Sequence, residues 1–324
     1  MRLLIDGNNA AYRANVTTDL RTKSGEKVSA IYGVLNMING YLKKSSGGWK
    51  NKILEAVHEA KLDRTLTFNE VVVCWDGGKS KFRKEIFPDY KGHREKKKAE
   101  KSPEEKETYF QFLDQMETLH EILPTFGVKS IKAKGWEADD LLYAASKLVE
   151  TDELSIVVST DRDMLQLVSE KVYVWSPYKE ILYTPENFAK LTGVPKKAYL
   201  TYRILVGDKS DNIEGIYGIG EKKAKDLIIK YGDLGGILAN QDKLMKSVVT
   251  RRILENPEIL DRNNKLMNME KIPFEDIKDV ILATLKEDVA FEPNLAKAFL
   301  MSKQMVSILK DFGSWSIAFN NLNK

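Results

Sequence analysis

Nine acidic side chains fall where predicted strands end or helices begin: Asp6, Asp76, Glu137, Asp139, Asp140, Asp161, Asp163, Asp208 and Asp211. The densest group is Gly135-Trp136-Glu137-Ala138-Asp139-Asp140, just ahead of the apolar helical run Leu141-Leu142-Tyr143-Ala144-Ala145. Alone, an acidic triplet at a helix start is only a favourable partner of the helix dipole. Here it is not alone. Asp161 and Asp163 are two residues apart, so on an extended segment leaving a strand they point the same way. Asp208 and Asp211 are three apart and share a face if their segment is helical. Carboxylates crowded within about 4–6 Å disfavour mutual ionisation unless cations neutralise them. Oxygen-only ligands suit Mg²⁺ or Mn²⁺ better than zinc, and two divalent ions about 3.5–4 Å apart are the usual device for in-line displacement at phosphorus. Metal-dependent phosphoester chemistry is the reaction class these residues suggest.

Other chemistries lack their parts. His58, His93 and His120 are scattered and Cys74 is the one cysteine, which excludes a zinc-ligand set and a Cys–His nucleophile pair. Gly78-Lys79-Ser80 follows a strand, but a P-loop needs glycine five positions before Gly78 and finds Val73. An aspartyl-phosphate phosphatase wants a second aspartate two residues after Asp6, where this chain has Asn8.

The elements that must position the acids alternate. Leu3-Leu4-Ile5 reads as a buried strand ending in a turn at Asp6-Gly7-Asn8-Asn9, followed by helices over about 29–42 and 50–61, with Lys43-Lys44-Ser45-Ser46-Gly47-Gly48 as punctuation between them. A strand at 71–75 ends at Asp76, a helix over 104–123 leads to a strand at 128–133 and the acidic helix start, and a strand at 154–159 ends in Thr160-Asp161-Arg162-Asp163. Such alternation implies a central, mainly parallel sheet with helices on both faces, and ligands in such sheets bind beyond the carboxyl ends of the strands. A hairpin is expected over 171–183, and the chain reads as wholly helical from 184 onward. The predicted division is an α/β core over 1–183, a second region over 184–240 and a helical region over 241–324 packed on the core.

With 324 residues, 43% hydrophobic and 30% charged, the composition is that of a soluble globular protein. The start at Met1-Arg2-Leu3-Leu4-Ile5-Asp6 reads as a strand and not as a signal segment, and no apolar run is long enough to span a bilayer. Cys74 in Val71-Val72-Val73-Cys74-Trp75 reads as a small hydrophobe in a strand, in keeping with a reducing cytoplasm. Setting the nine acids aside raises the rest of the chain from +4 to +13, which suits a polyanionic substrate, although solvated surface lysines account for it equally well.

Between Asp76 and the helix near Glu104 lies a basic arm, Lys79-Ser80-Lys81-Phe82-Arg83-Lys84 and then Pro88-Asp89-Tyr90-Lys91-Gly92-His93-Arg94-Glu95-Lys96-Lys97-Lys98. Basic residues interleaved with aromatic ones are what a single-strand channel requires. A solvated charged loop has the same composition, but insertion directly after a site strand favours function. Further on, Gly215-Ile216-Tyr217-Gly218-Ile219-Gly220-Glu221-Lys222-Lys223-Ala224-Lys225 is a glycine turn opening a helix, where backbone N–H groups and lysines can meet a phosphate. A plain helix–helix connection is the alternative.

Taken together, Leu4-Ile5-Asp6-Gly7-Asn8, Phe82-Arg83 through Pro88-Asp89-Tyr90-Lys91-Gly92-His93-Arg94, Glu137-Ala138-Asp139-Asp140, Ser159-Thr160-Asp161-Arg162-Asp163, Gly207-Asp208 through Asp211-Asn212-Ile213 and Gly218-Ile219-Gly220 resemble the structure-specific 5′-nuclease family. The similarity is greatest to the stand-alone 5′–3′ exonucleases, or flap endonucleases, of tailed phages (the phage ribonuclease H type), and it covers roughly residues 1–235. It implies a PIN-like α/β core, a helical arch at about 79–110 that passes a single-stranded 5′ end, and a helix–hairpin–helix gripping duplex DNA. By the same resemblance Asp6, Asp76, Glu137, Asp139 and Asp161 match the first metal site with Asp140 near or bridging, and Asp163, Asp208 and Asp211 match the second. Tyr90, Lys91 and Arg94 match arch residues that stack on and hold the scissile nucleotide. Arg83, Lys84, Gly218, Gly220, Lys222, Lys223 and Lys225 are the expected DNA contacts, and K⁺ is an expected guest of the hairpin.

The activity so implied is Mg²⁺-dependent 5′–3′ exonuclease and 5′-flap endonuclease action by two-metal hydrolysis, giving 5′-phosphate and 3′-hydroxyl ends. The implied partners are flapped or nicked DNA, RNA primers on DNA, and replication proteins such as single-strand-binding protein. The enzyme is expected to act as a monomer in replication and repair, in a cytoplasm, the host's if the chain is phage-encoded. Two departures stand out: the chain starts almost at the first site strand, without the N-terminal segment of some phage relatives, and Glu214 replaces the usual proline before the hairpin glycine. The other readings are a primer remover acting mainly on RNA, a non-catalytic junction-binding protein, and a small-molecule phosphatase, which leaves the basic arm unexplained.

Overall fold

A computed structural model describes residues 1–43, 51–60, 67–148 and 153–322. All but Lys43 of the predicted punctuation at 43–48, and the ends of the predicted 50–61 helix, lie outside the described residues. In chain order the elements are β1 (Arg2–Asp6), α1 (Gly7–Thr17), α2 (Ser29–Leu42), α3 (Lys52–Glu59), β2 (Glu70–Trp75), α4 (Lys81–Ile86), α5 (Gly92–Ala99), α6 (Pro103–Ile122), β3 (Lys129–Lys132), α7 (Ala138–Lys147), β4 (Ser155–Val158), β5 (Val172–Ser176) and β6 (Ile181–Tyr183). There follow α8 (Pro185–Thr192), α9 (Tyr199–Val206), β7 (Gly207–Asp208), β8 (Ile213–Glu214), α10 (Glu221–Tyr231), α11 (Leu234–Leu238), α12 (Gln241–Leu244), α13 (Val248–Glu255), α14 (Pro257–Met267), α15 (Glu275–Lys286), α16 (Pro293–Ser302), α17 (Val306–Leu309) and α18 (Phe312–Ser316). Among the described residues no helix is long and apolar enough to cross a membrane.

Two compact units emerge, one of 1–78, 102–182 and 274–324, the other of 79–101 and 183–273. The helical stretch 241–324 is thus shared between them, and the basic arm folds with the second unit as far as residue 101.

In the first unit the six strands lie in the order β3-β2-β1-β4-β5-β6, with β3, β2, β1, β4 and β5 parallel. The sequences of β1, β2 and β4 are near-continuous apolar runs because both faces are covered. Leu3, Ile5, Val71, Val73, Ile156 and Val158 face a core shared with α1, α2, α6 and the C-terminal helices. Leu4, Val72, Cys74 and Val157 alternate with them and are equally buried, on the face where α7 packs against β1 and β2. Cys74 is the strand hydrophobe its surroundings predict. Phe126, Phe291, Trp315 and Phe319 close the core at the C-terminal segment, with ring centroids of Phe126 and Phe319 5.5 Å apart. From β1 the chain runs outward through β2 to β3, then returns to place β4 on the other side of β1. That reversal makes the carboxyl ends of β1 and β4 the crevice of the sheet.

Two local expectations change. The predicted turn at Asp6-Gly7-Asn8-Asn9 is instead the start of α1, because the Asp6 side chain accepts the Asn9 N–H and caps the helix directly off the strand. The region after 184 is not wholly helical: β7 and β8 pair antiparallel around a short 3₁₀ turn, Lys209–Asp211. Gly207 (φ +74°) leaves α9 with its Cα against the backbone of Ile213–Gly215, a path that breaks the helix and brings the two short strands together.

Candidate active site

At the crevice, Asp6 is buried with 7% exposure, and its two oxygens accept from Asn9 N–H and from the Ser159 hydroxyl, each at 2.9 Å. The same hydroxyl accepts the Asp161 N–H at 3.0 Å, and Asp161 accepts the Asp163 N–H at 2.7 Å. One serine therefore ties the ends of β1 and β4 together and sets two acids beside each other. Burial, reinforced by the charges of Asp76 and Asp161, pushes the Asp6 carboxyl up to about 7 despite those hydrogen bonds. Burial likewise pushes the Cys74 thiol up, with the charges of Asp6 and Asp139 adding to the effect, so Asp139 acts at the same end of the sheet.

Asp76 leaves β2 with its N–H donated to the Asn8 side chain at 2.8 Å and its own carboxylate accepting the Ala138 N–H at 2.8 Å. It thereby holds the start of α7, and with it Glu137 and Asp139, against the sheet. Asp140 is buried and accepts the Glu137 N–H at 3.0 Å, so it shapes the first turn of α7. Gly77 makes this junction possible. Its N–H donates to Trp136 O and its carbonyl accepts from Gly135, while a Cβ would stand 1.7 Å from Ala133 O. Gly77→Ala must therefore push the two loops apart, and is expected to cost about 1–3 kcal/mol, read as a lower melting temperature. An unchanged melt would mean the loops have slack.

Among the described residues no three His, Cys, Asp or Glu side chains are already gathered as a metal shell. The first unit brings Asp6, Asp76, Glu137, Asp139, Asp140, Asp161 and Asp163 to the carboxyl ends of β1, β2 and β4 and the start of α7, with oxygen donors throughout.

In the second unit, Asp208 leads the 3₁₀ turn, capping the Ser210 N–H at 2.7 Å and pairing with the buried Arg203 at 2.6 Å. Burial pushes its carboxyl up, but the bonds from Ser210 and Arg203 outweigh this and hold it below the usual carboxylate range. Asp211 is surrounded by the basic arm: Arg94 at 2.7 Å, the Tyr90 hydroxyl at 3.1 Å and the Lys91 ammonium at 3.7 Å. Backbone bonds from Lys91 N–H to Asp211 O and from the Asn212 side chain to Asp89 O fix this arrangement, each 2.9 Å long. Asp208 and Asp211 therefore flank a 3₁₀ turn, each with its own set of partners.

Three residues expected at the DNA have protein partners in the structure. Arg83 is buried and donates to Leu266 O at 3.1 Å, pinning α4 to α14, so its guanidinium is committed to the interior. Tyr90 is 3% exposed, its ring enclosed by Ile213, Leu266 and Met267, and its hydroxyl orients Asp211. Lys225 lies over the Tyr202 ring and against Gly193, away from the hairpin turn. Lys84 donates to Pro88 O and is half-buried, whereas Lys222 is exposed and Lys223 half-exposed on the first turn of α10, whose N-cap is Gly220. Gly218 sits at φ +82° at the tip of the turn. Sequence reasoning gave no positioning role to Ser159, Asn8, Gly77 or Arg203. The first three adjoin the acids, and a small polar or glycine residue next to a strand-end aspartate was the available signal; Arg203, inside an apolar helix, gave none.

Comparison with known proteins agrees with this geometry. The family model described as 5′-3′ exonuclease, N-terminal resolvase-like domain, matches residues 1–193, and that described as 5′-3′ exonuclease, C-terminal SAM fold, matches residues 194–305. A thermostable DNA polymerase I of Thermus filiformis is 31% identical over 96% of this chain, which spans only 33% of that protein's length. A 5′-3′ exonuclease of Aquifex aeolicus is 29% identical over 95% of this chain and 93% of its own. Among solved structures, a bacteriophage T5 flap endonuclease in a pseudo-enzyme–product complex with DNA and metal ions superposes with a TM-score of 0.65 at 23% identity, over 96% of this chain and 99% of that one. A T5 5′-exonuclease with bound zinc gives 0.63 at 23% identity, over 93% and 99%.

Proposed function

Since the chain belongs to the 5′–3′ exonuclease family, we propose that it is a divalent-metal-dependent 5′–3′ exonuclease and 5′-flap endonuclease that cuts DNA near a single-strand/duplex junction, leaving 5′-phosphate and 3′-hydroxyl ends. The observation that carries this reading is the gathering of acids at the strand ends: Ser159 Oγ joins Asp6 (2.9 Å) to the Asp161 backbone (3.0 Å), and Asp76 accepts the Ala138 N–H (2.8 Å) at the start of α7. Carboxylates brought together in this way favour a cation alongside them. The donors are all oxygens, which suits Mg²⁺, with Mn²⁺ as its substitute. Asp6, Asp76, Glu137, Asp139 and Asp161 would hold the ion, with Asp140 supporting α7 and Asp163 next along the chain; Asp208 and Asp211 offer further carboxylate oxygens in the second unit. Divalent ions bound at a phosphodiester activate water and stabilise charge on the leaving oxygen.

The chain's own groups do the remaining work. Ser159 keeps Asp6 and Asp161 in register, Lys91 and Arg94 bring positive charge to the scissile phosphate, and Lys222, Lys223 and the amides opening α10 take duplex phosphates. RNA paired to DNA offers the same 5′ geometry, so primer removal belongs to the proposal, as do action as a monomer in a cytoplasm and work beside single-strand-binding protein. The phage flap endonuclease bound to DNA and metal ions and the polymerase relatives motivate a setting in replication and repair.

The test is a set of substrates of one sequence: a 5′ flap of DNA, a 5′ flap of RNA, a 3′ flap and the free strand. Cutting of the 5′ flaps at the junction, with the 3′ flap untouched, is the expected result. Indifference to polarity, or turnover of simple phosphomonoesters without DNA cleavage, contradicts the proposal.

A further inference from the structure

Arg252 is three residues after Val249 on α13, so both side chains lie on one face of that helix, and that face meets the turn at Gly215–Gly220. The Arg252 guanidinium lies 4.7 Å over the Tyr217 ring, and its Nη1 donates to Tyr217 O at 3.2 Å. Tyr217 is 80% exposed, and a Cβ on Gly218 would stand 3.1 Å from both Arg252 Nη1 and Val249 Cγ1. Glycine at the tip therefore admits the guanidinium to the backbone of the turn. A planar cation stacked on a tyrosine and tied to one carbonyl keeps further N–H groups for an anion.

Several carbonyls around the turn are engaged. Ile216 O accepts from Ile219, Gly220 O from Ala224 within α10, and Glu214 O from Arg262 at 2.9 Å and Asn263 at 2.8 Å. Tyr217 O takes Arg252 itself. Four carbonyls of the turn, those of Glu214, Ile216, Tyr217 and Gly220, thus already accept hydrogen bonds, and at Tyr217 O the partner is itself a fixed cation.

We propose that Arg252 is a duplex phosphate-binding residue of the hairpin, held in place by Tyr217, and that it carries the positive charge otherwise expected of a K⁺ ion. The inference rests on the family reading of the hairpin as a duplex contact. Arg252 then acts with Lys222 and Lys223 on the phosphate backbone, independently of sequence. Tyr217 supplies no base contact in this scheme; it limits the rotamers the guanidinium can lose on binding.

The experiment measures binding of a blunt duplex by fluorescence anisotropy in EDTA, across a salt series run in KCl and again in NaCl. Arg252→Gln keeps a donor for Tyr217 O and removes the charge. It is expected to weaken binding roughly tenfold and to lower the salt slope by about one, with wild-type affinity the same in either salt and an unchanged melt for the variant. If Arg252→Gln melts lower, Arg252→Lys, which keeps the charge, should restore most of the binding; failure to do so overturns the proposal. Equal affinity and slope for wild type and Arg252→Gln overturn it as well, as does wild-type binding that requires K⁺. Loss of duplex binding by the wild type itself would instead count against the hairpin as a duplex contact.

Discussion

Asp6→Asn is expected to make the metal-free protein melt several degrees higher at mildly alkaline pH while reducing flap cleavage by more than the roughly 10–100-fold seen on losing groups that merely support a metal ligand. The physical cause is the same for both effects. Folding buries this carboxyl beside Asp76 and Asp161 and raises it from the ordinary 3.8 to about 7. Between those values the folded protein holds a proton that the unfolded chain has released, so stability falls as pH rises from about 4 to about 7 and the loss is complete above that. An asparagine keeps the shape and carries no charge, which removes this pH dependence together with the affinity for a divalent ion. Melting curves with and without Mg²⁺ separate the two: the wild type should gain stability on adding the ion and Asp6→Asn should gain much less. A variant that melts lower than wild type without metal, at the alkaline end, would contradict the account.

The second large effect concerns Asp211. Arg94 and Lys91, the groups proposed for the scissile phosphate, are paired with its carboxylate. A phosphate arriving at those cations competes with Asp211, so Asp211→Asn is expected to bind flap DNA in EDTA several-fold more tightly than wild type and yet to cleave it far more slowly with Mg²⁺. Arg94→Ala should do the reverse in binding, weakening it, and should slow single-turnover cleavage by about 10²–10³-fold, the size of effect that follows removal of one charge-stabilising donor. Lys91→Ala is held to the same standard. Weaker binding with an unchanged single-turnover rate would remove Lys91 from the chemistry.

Much of this was legible in the sequence, for reasons visible in particular residues. Leu3-Leu4-Ile5, Val71–Trp75 and Ser155–Val158 are apolar on both faces, which marks central parallel strands, and the acids at their ends stood out because charge directly after such a run has no packing explanation. The helix at Gly7 was not legible, since Gly7-Asn8-Asn9 has the composition of a turn and its helical state depends on Asp6 capping it off the strand. Nor was the burial of Arg83 and Tyr90. Both sit among lysines in a stretch that reads as uniformly solvated, and only the approach of Leu266 and Met267, far along the chain, encloses them. Arg252 gave no signal for the same reason, because its partner Tyr217 is 35 residues away in sequence.

The central claim is that the carboxylates at the ends of β1, β2 and β4 form a metal-dependent phosphodiesterase site. Its most direct test uses a 5′-flap DNA labelled at its 5′ end, incubated with wild-type protein and Mg²⁺, with wild-type protein and EDTA, and with Asp161→Ala and Mg²⁺. Release of a short labelled product from the junction in the first reaction alone is the predicted result. Cleavage that survives EDTA or the loss of Asp161 would contradict it, and tight binding without cleavage in all three would leave a junction-binding protein.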